Sequence, residues 1–218
     1  MNFGNNRARI SNSSTQVAEA LQDEILHGRL RPDEKLNQSA IAEQFGVSKI
    51  PVREALHRLE ADGLITFQPN GNATVSSLSV DELFQIYQMR IVLEKLLLEV
   101  AFDRMTEVDL IKAENALRLI DHEKNAYQWM KLNWAFHDAL YRPSQMDLVI
   151  QNADKLYINS VRYFVAHELL SYQDRSQEEH REILQACQNR TLKEALQALE
   201  AHLKASEQAL ITFLEQAN

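Results

Sequence analysis

The sequence predicts a mainly α-helical protein in two parts: an N-terminal winged helix-turn-helix and a C-terminal all-helical bundle of about six helices. Three observations support this fold class. The chain has few helix breakers, with 5 Gly and 4 Pro among 218 residues. Apolar side chains recur every three or four residues over most of its length, which is the period of an amphipathic helix. Between residues 64 and 75 that period changes to the alternation of β-strands, which separates the two parts.

The first part contains a helix-turn-helix. Its second and third helices are separated only by Gly46-Val47-Ser48, and two short helices with so tight a connection are the signature of this motif. Ser48 is predicted as the N-cap of the third helix. The residues before the first helix, 1–13, are rich in Asn and Ser and are predicted to form a flexible arm. The three helices are predicted over residues 15–27, 38–45 and 49–62.

A two-stranded hairpin, the wing of the motif, is predicted after the third helix. Residues 64–67 and 73–75 have strand character, and they flank Pro69-Asn70-Gly71, which has strong turn chemistry. The predicted domain therefore covers residues 14–75, and a polar linker over 76–79 leads into the second part.

The second part, over residues 80–218, is predicted to be the helical bundle. Four predicted helix starts carry Ser or Thr followed three residues later by Asp or Glu, which is the pattern of a capping box. These starts are Ser79, Thr106, Ser176 and Thr191. Arg142-Pro143-Ser144 interrupts the helical period. The six helices are predicted over residues 79–103, 106–122, 125–141, 146–170, 176–188 and 191–215.

Composition restricts the class of protein. The net charge of −8 is unevenly distributed: 8 Lys/Arg and 9 Asp/Glu in residues 1–75 give −1, and the remaining 15 and 22 give −7. The near-neutral first part can therefore still meet phosphate through local basic clusters. Cys187 is the single cysteine, so no intramolecular disulfide forms. With no signal-peptide pattern and no apolar run near the ~20 residues that span a bilayer, a cytoplasmic protein without a membrane partner is expected.

Five residues are candidate DNA contacts. A recognition helix presents its N-terminal residues to base edges in the major groove, and Lys49 and Arg53 lie about one turn apart, so both can point outward. A serine near the start of the preceding helix can donate to a phosphate, and a glycine in the wing allows close approach to the DNA backbone. The alternative for each is an ordinary solvated side chain. The candidate contacts are Ser39, Ser48, Lys49, Arg53 and Gly71.

Polar residues interrupt the apolar stripes of three bundle helices. Asn133 and His137 are i and i+4 on one stripe, and His180 and His202 occupy inward positions on the last two helices. Neutral imidazole is a ligand for zinc, nickel, copper or iron. The four residues are therefore a candidate site for a divalent transition metal. The spacing leaves open the alternative of three histidines that are separately satisfied in the core.

The run Gly46-Val47-Ser48-x-x-Pro51-Val52-Arg53-Glu54-Ala55-Leu56 resembles the DNA-binding domain of the GntR superfamily, and the resemblance extends over residues 15–75. It implies a transcription regulator that binds double-stranded DNA. The two-fold symmetry of a homodimer would match a palindromic operator. The sequence departs from the family at Lys49-Ile50, where Arg-Thr is usual. Because lysine is a point charge and not a planar fork, the base preference is expected to differ at that position.

The arrangement Asn133-x-x-Phe136-His137-x-x-Leu140, followed by His180 and His202, is similar to the FCD effector domain of the FadR group, over about residues 79–215. Six helices resemble its VanR-like branch. The resemblance implies a divalent metal, zinc or nickel, held by an acidic residue and three histidines. Asn133 stands where the family usually has Asp, so a bound cation would keep its full charge and favour an anion. The resulting hypothesis is a metabolic repressor whose operator affinity responds to a small carboxylate bridging the metal and a nearby cation.

Arg90 is the candidate cation for this effector, because it lies with Tyr87 and Glu94 on one face of the first bundle helix. FCD-like domains commonly place an arginine here near the ligand. A buried Arg90–Glu94 pair at i and i+4 is the alternative. Arg162 is a further candidate for effector binding.

Two other functions are considered. His137-Asp138 is an HD dipeptide of the kind used by metal-dependent phosphohydrolases, but Asp138 lies about 100° from His137 around the helix, off the apolar stripe. The bundle could instead bind nothing and serve only for dimerisation. Because the sequence contains no nucleophile elbow, Walker loop or dinucleotide fingerprint, no enzymatic activity is expected.

Overall fold

The computed structural model describes residues 13–69, 71–166 and 173–217. The predicted arm lies outside the described residues except for Ser13, as do Asn70 of the predicted turn and the predicted helical end over 167–170. The chain divides into two compact units, with the division between Leu78 and Ser79. The mainly α-helical fold class is confirmed in both units.

The first unit is a winged helix-turn-helix with three helices and a three-stranded sheet among its described residues. The helices are α1 (Ser14–Leu26), α2 (Gln38–Phe45) and α3 (Lys49–Ala61), and the strands are β1 (Lys35–Leu36), β2 (Ile65–Phe67) and β3 (Ala73–Val75). The sheet is antiparallel in the order β1-β3-β2, with Lys35 opposite Thr74. Strand β1 was not predicted, because two residues are too few to show alternation; it exists through its pairing with β3.

The apolar faces of α1 and α3 form the core of this unit. On α3, Val52, Ala55 and Leu56 are fully buried, and they pack against α1. Asn37 caps α2 by accepting hydrogen bonds from two backbone N–H groups. Gly46 ends α2 with a φ of +65°, which suits glycine, and so allows the chain to enter α3 after only two more residues. Ser48 occupies the N-cap position of α3, but its side chain makes no capping hydrogen bond.

The second unit contains six α-helices among its described residues. They are α4 (Val80–Phe102), α5 (Glu107–Ile120), α6 (Ala126–Tyr141), α7 (Asp147–Ala166), α8 (Gln173–Gln188) and α9 (Leu192–Ala217). A 3-10 turn, Arg142–Ser144, follows α6 where the sequence breaks the helical period. Helix α4 packs against α6, α7 and α9, while α5 packs against α6 and α8. None of these helices is long and apolar enough, within the described residues, to cross a bilayer.

One predicted helix start is wrong. Ser176 was expected to open a helix, with Glu179 completing a capping box, but α8 already begins at Gln173 and Ser176 is 1% exposed. Glu179 instead accepts a hydrogen bond from His202 on α9. The pattern of a capping box is short enough to arise inside a helix when tertiary partners hold its polar residues. By contrast, Thr106 and Asp109 form the predicted capping box of α5.

The buried Cys187 allows a direct test of packing in the bundle. Its side chain is fully buried on α8, and burial raises the pKa of the thiol to about 12. Because the thiolate is the reactive form, we expect no reaction of the native protein with Ellman's reagent at pH 8 and the release of one equivalent of chromophore after denaturation in guanidinium chloride. Rapid modification of the native protein would show that α8 opens readily.

Candidate functional site

Three histidines from three different helices converge inside the bundle. His137 of α6, His180 of α8 and His202 of α9 each have a ring nitrogen within 4.8 Å of the others. Their exposed fractions are 0%, 0% and 3%. The ring centroids of His180 and His202 are 4.4 Å apart, and His137 lies 5.1 and 5.3 Å from them. The structure therefore brings the three predicted histidines to one point.

The neighbours of His180 determine which of its ring nitrogens carries the proton. Its Nδ1 lies 3.0 Å from Oε1 of Gln177. The amide nitrogen of Gln177 donates to Oδ1 of Asp121 at 2.8 Å and to the backbone carbonyl of Leu117 at 3.2 Å. The Gln177 oxygen is therefore the acceptor in the contact with His180. It follows that Nδ1 of His180 is protonated and that its Nε2 carries a lone pair.

The same reasoning applies to His137. Its Nδ1 lies 3.2 Å from the hydroxyl oxygen of Tyr141, and that hydroxyl donates its single proton to Oε2 of Glu94 at 2.8 Å. The tyrosine oxygen can then only accept from His137, which places the proton of His137 on Nδ1. Glu94 is fully buried on α4. Through its hydrogen bond from Tyr141, its carboxylate fixes the direction of the hydroxyl proton and therefore the tautomer of His137.

His202 completes the set. Its Nδ1 lies 2.9 Å from Oε2 of Glu179, an acceptor. All three imidazoles thus use Nδ1 for an outer partner, so Nε2 is the ring nitrogen left for another ligand. A metal-bound histidine commonly donates its second N–H to a carboxylate, carbonyl or similar group, which fixes both tautomer and ring orientation.

Two of these inward nitrogens have no partner within the described part of the protein: Nε2 of His137 and Nε2 of His180 are buried and unbonded. Burial is the largest cause of the lowered pKa of both histidines, and the adjacent His202 imidazole lowers it further. Both rings are therefore neutral and carry available lone pairs. A buried polar atom without a partner is costly, and a divalent cation would satisfy both atoms at once. The donor set thus fits a metal.

Asn133 lies one turn before His137 on α6 and is 5% exposed. Its amide nitrogen donates to the hydroxyl oxygen of Tyr157 on α7 at 3.1 Å. Among the described residues, no hydrogen bond is donated to its amide oxygen. Because Asn133 and His137 are i and i+4 on one face of α6, this oxygen is a candidate neutral ligand beside the histidines.

Arg90 is buried in a network that reaches the histidine cluster. Its Nε donates to Oε1 of Glu94 at 2.7 Å, so the paired arrangement that the sequence left open is present. A second donor contacts Ser160 Oγ at 3.2 Å, and the guanidinium lies 4.9 and 5.2 Å from the ring centroids of Tyr87 and Tyr157. Glu94 also accepts from Tyr141, which contacts His137. One carboxylate thus links the candidate effector cation to a candidate ligand.

Arg162 occupies a different part of the bundle. Its side chain is buried and donates to Oε1 of Glu82 in the first turn of α4 at 2.8 Å. Glu82 also accepts from the hydroxyl of Tyr163 at 3.0 Å. Because Glu82 precedes Arg90 by about two helical turns, Arg162 anchors the start of α4.

Asp138 does not join the histidines. It receives two hydrogen bonds from Arg142 Nε, at 2.8 and 2.9 Å, near the surface of α6. The geometry of an HD phosphohydrolase requires this carboxylate beside the metal, so the phosphohydrolase alternative is not favoured.

The candidate DNA contacts lie on the surface of the first unit. All five are exposed, on α2, on α3 and in the wing: Ser39, Ser48, Lys49, Arg53 and Gly71. Ile50, in the first turn of α3, has an exposed fraction of 70%, which is high for an apolar residue on a packed helix. The buried face of α3 lies on the side of the helix away from these residues. The first two turns of α3 therefore present polar, cationic and apolar groups together to the solvent.

The sequence reasoning did not find the outer partners Tyr141, Gln177, Glu179 and Tyr157. Tyr141 follows His137 by four residues and Gln177 precedes His180 by three, so each lies on the same helix face as its histidine. That spacing could have indicated them. Glu179 and Tyr157 act across helices and leave no local signal.

The fold and site define a class: a DNA-binding winged helix-turn-helix followed by a helical domain with a buried histidine cluster that could hold a metal. Residues 13–75 match the family model described as bacterial regulatory proteins, gntR family, and residues 85–205 match the FCD domain. The chain belongs to the GntR family of bacterial regulatory proteins, with an FCD domain as its second unit.

Several relatives carry names of transcription regulators. The uncharacterized HTH-type transcriptional regulator YdhC of Bacillus subtilis (strain 168) is 33% identical over 129 residues, 57% of this chain and 58% of YdhC. The transcriptional repressor GlaR of Escherichia coli (strain K12) is 29% identical over 150 residues, 66% of this chain and 68% of GlaR. The regulator LutR of Bacillus subtilis is 28% identical over 215 residues, 88% of this chain and 98% of LutR. The match to YdhC thus spans little more than half of that protein.

Two solved structures share the fold. Escherichia coli McbR/YncC has a TM-score of 0.76 at 23% identity, over 96% of this chain and all of that chain. A putative GntR regulator from Rhodococcus sp. RHA1 has a TM-score of 0.80 at 24% identity, over 91% of this chain and 97% of that chain.

Proposed function

We propose that this protein is a sequence-specific transcription regulator, acting as a metabolic repressor in the cytoplasm, whose operator affinity is changed by a small carboxylate bound at or near a metal in the helical domain. The observation that carries the proposal is the cluster of His137, His180 and His202, in which every Nδ1 has an outer partner. An arrangement that merely filled a core would have no reason to leave two buried Nε2 atoms unbonded.

The metal in this proposal is a divalent transition ion, zinc or nickel. His137, His180 and His202 would hold it through Nε2, and Asn133 through its amide oxygen. Three imidazoles suit these borderline ions better than magnesium or calcium, which prefer oxygen ligands. All four donors are neutral, so the bound ion would offer an undiminished positive charge to an anionic ligand.

The effector site would extend from the metal toward Arg90. A carboxylate there would meet a guanidinium that already lies between two tyrosine rings. Glu94 neutralises that guanidinium, so an anionic effector would compete with the Glu94 carboxylate for it. Since Glu94 also holds Tyr141 and through it His137, this competition offers a physical link between effector and metal.

DNA reading is assigned to the first unit. Arg53 and Lys49 would donate to guanine or phosphate, and Ile50 would contact a thymine methyl group. Ser39, Ser48 and Gly71 would contact the DNA backbone. Two copies in a homodimer would present two α3 helices to a palindromic operator, and an effector that favours one dimer geometry would shift DNA affinity by linkage.

A carboxylate panel tests the sensing proposal. Chelator-stripped protein and protein reloaded with Zn²⁺ or Ni²⁺ are compared by thermal shift with acetate, malonate and citrate, and with the corresponding neutral amides as matched controls. We expect a carboxylate to raise the Tm of the loaded protein and to have much less effect on the stripped protein. The same carboxylate should change the affinity for a DNA fragment from upstream of the protein's own gene. Equal shifts with and without metal, or equal shifts with amide and acid, would contradict the proposal.

A further inference from the structure

Asn133 presents a problem for metal binding that a carboxylate would not. The two oxygens of an aspartate are equivalent, so either can meet a cation. An amide has one oxygen that can ligate and one NH₂ group that cannot, and the two exchange places when the group rotates by 180°. A neutral amide therefore contributes to a metal site only if something holds its oxygen on the correct side.

Tyr157 supplies that constraint through the direction of its own proton. The Tyr157 hydroxyl lies 2.6 Å from the backbone carbonyl of Met130, which is only an acceptor, so the hydroxyl proton points there. The tyrosine oxygen is then left with lone pairs alone. The Asn133 group at 3.1 Å must donate, and it must be Nδ2.

The consequence for the amide oxygen is fixed by the planarity of the group. With Nδ2 held by Tyr157, Oδ1 faces the other way. Among the described residues no group donates a hydrogen bond to this oxygen. Rotation of the amide would set Oδ1 against a tyrosine oxygen with no proton to give, and would leave Nδ2 without its acceptor.

Tyr157 is itself held firmly. Its ring is stacked on Trp134 with centroids 5.1 Å apart. The ring also contacts the Arg90 guanidinium, whose central carbon lies 5.2 Å from the ring centroid. The side chain is 7% exposed. The hydroxyl therefore acts from a fixed position and does not depend on a mobile side chain.

We propose that Tyr157 is a positioning residue that makes Asn133 a metal ligand, by locking the amide with its oxygen available to the cation held by His137, His180 and His202. This proposal rests on the metal site proposed above. It explains how a site with a neutral fourth donor can retain an oriented oxygen where aspartate is usual in the family.

A double-mutant cycle separates this role from simple packing. The variants are Tyr157→Phe, Asn133→Asp and the double mutant, and Zn²⁺ affinity is measured on each full-length, chelator-stripped protein by competition with a chromophoric chelator. Tyr157→Phe keeps the ring contacts and removes only the hydroxyl. In the wild-type background we expect it to weaken Zn²⁺ binding about 10-fold, the low end of the effect of losing an outer partner. In the Asn133→Asp background we expect less than about a 2-fold change, because a carboxylate needs no choice between its two ends.

Tyr163→Phe provides the matched control. Tyr163 is another buried tyrosine, and its hydroxyl donates to Glu82 in the first turn of α4 and not to Asn133. Its removal should leave Zn²⁺ affinity unchanged. Circular dichroism and thermal unfolding of each stripped variant verify that the affinities refer to folded protein; if Asn133→Asp fails to fold, the contrast between Tyr157→Phe and Tyr163→Phe remains the test.

The outcomes distinguish the two levels of the proposal. Wild-type protein that binds no Zn²⁺ would overturn the metal site itself. The positioning role alone would be overturned if wild-type protein binds Zn²⁺ but Tyr157→Phe leaves the affinity unchanged. Equal losses of affinity in the wild-type and Asn133→Asp backgrounds would overturn it as well. A loss confined to the wild-type background would support it.

Discussion

Replacing Arg53 by alanine is expected to weaken binding to the protein's own upstream DNA about 10- to 100-fold, with the fold unchanged. Arg53 is exposed in the second turn of α3, opposite the buried face of the helix. Its planar guanidinium can donate two parallel hydrogen bonds to guanine or to a phosphate, and alanine can make neither. Electrophoretic mobility shift or fluorescence anisotropy at a fixed salt concentration measures the effect.

Arg58→Ala is the control for this prediction. Arg58 is an exposed arginine on the same helix, in its last turn, where it donates to the Thr15 hydroxyl of α1 at 3.3 Å. Both variants remove one positive charge, so a general electrostatic effect would lower both affinities alike. The salt dependence of binding then shows whether Arg53 contacts a phosphate, which would reduce the slope by about one, or a base edge. A folded Arg53→Ala protein with normal DNA affinity would refute the assignment.

The second large effect is expected at His180. His180→Ala should weaken Zn²⁺ or Ni²⁺ binding by more than about 100-fold, because losing even an outer partner of a ligand costs about 10- to 100-fold. The variant removes one of three convergent imidazoles, and its Nε2 is one of the two buried nitrogens without a partner. Elemental analysis of protein purified without a nickel column, and titration of the stripped protein, measure the loss.

Thermal unfolding provides an independent measurement of the same site. A ligand present at 100 times its Kd stabilises the native state by about 2.7 kcal/mol, so saturating Zn²⁺ should raise the Tm of wild-type protein by on the order of 5 °C. The Tm of His180→Ala should not respond. His122→Ala, at an exposed histidine after α5, should behave as wild type. A wild-type protein without metal, together with a His180→Ala variant of unchanged stability, would refute the metal site.

Much of this molecule was accessible from local sequence patterns. Helix periods, the short Gly46-Val47-Ser48 connection and the hairpin pattern predicted the winged helix-turn-helix. The polar interruptions of apolar stripes indicated His137, His180 and His202 as candidates for one site. These features depend on residues three or four positions apart on one element, where the geometry of a helix or strand already determines which side chains share a face.

The histidine cluster shows where such patterns stop. The spacing left two outcomes for His137, His180 and His202, one site or three separately satisfied side chains. Their convergence within 4.8 Å depends on how α6, α8 and α9 pack. Gln177 and Tyr141 then set the positions of protons on two of the rings through hydrogen bonds to α5 and α4.

The sequence alone therefore established the helices, the helix-turn-helix and the identity of the polar residues that face the bundle interior. The three-dimensional packing established the pairing of β1 with β3, the early start of α8, the buried Arg90–Glu94 pair and the orientation of the Asn133 amide. The physical reason is the range of the interactions. Backbone periodicity and capping act within one or two turns, whereas the direction of a buried hydrogen bond depends on partners that are distant in sequence, such as Asn133 and Tyr157, and becomes defined only when the helices pack together.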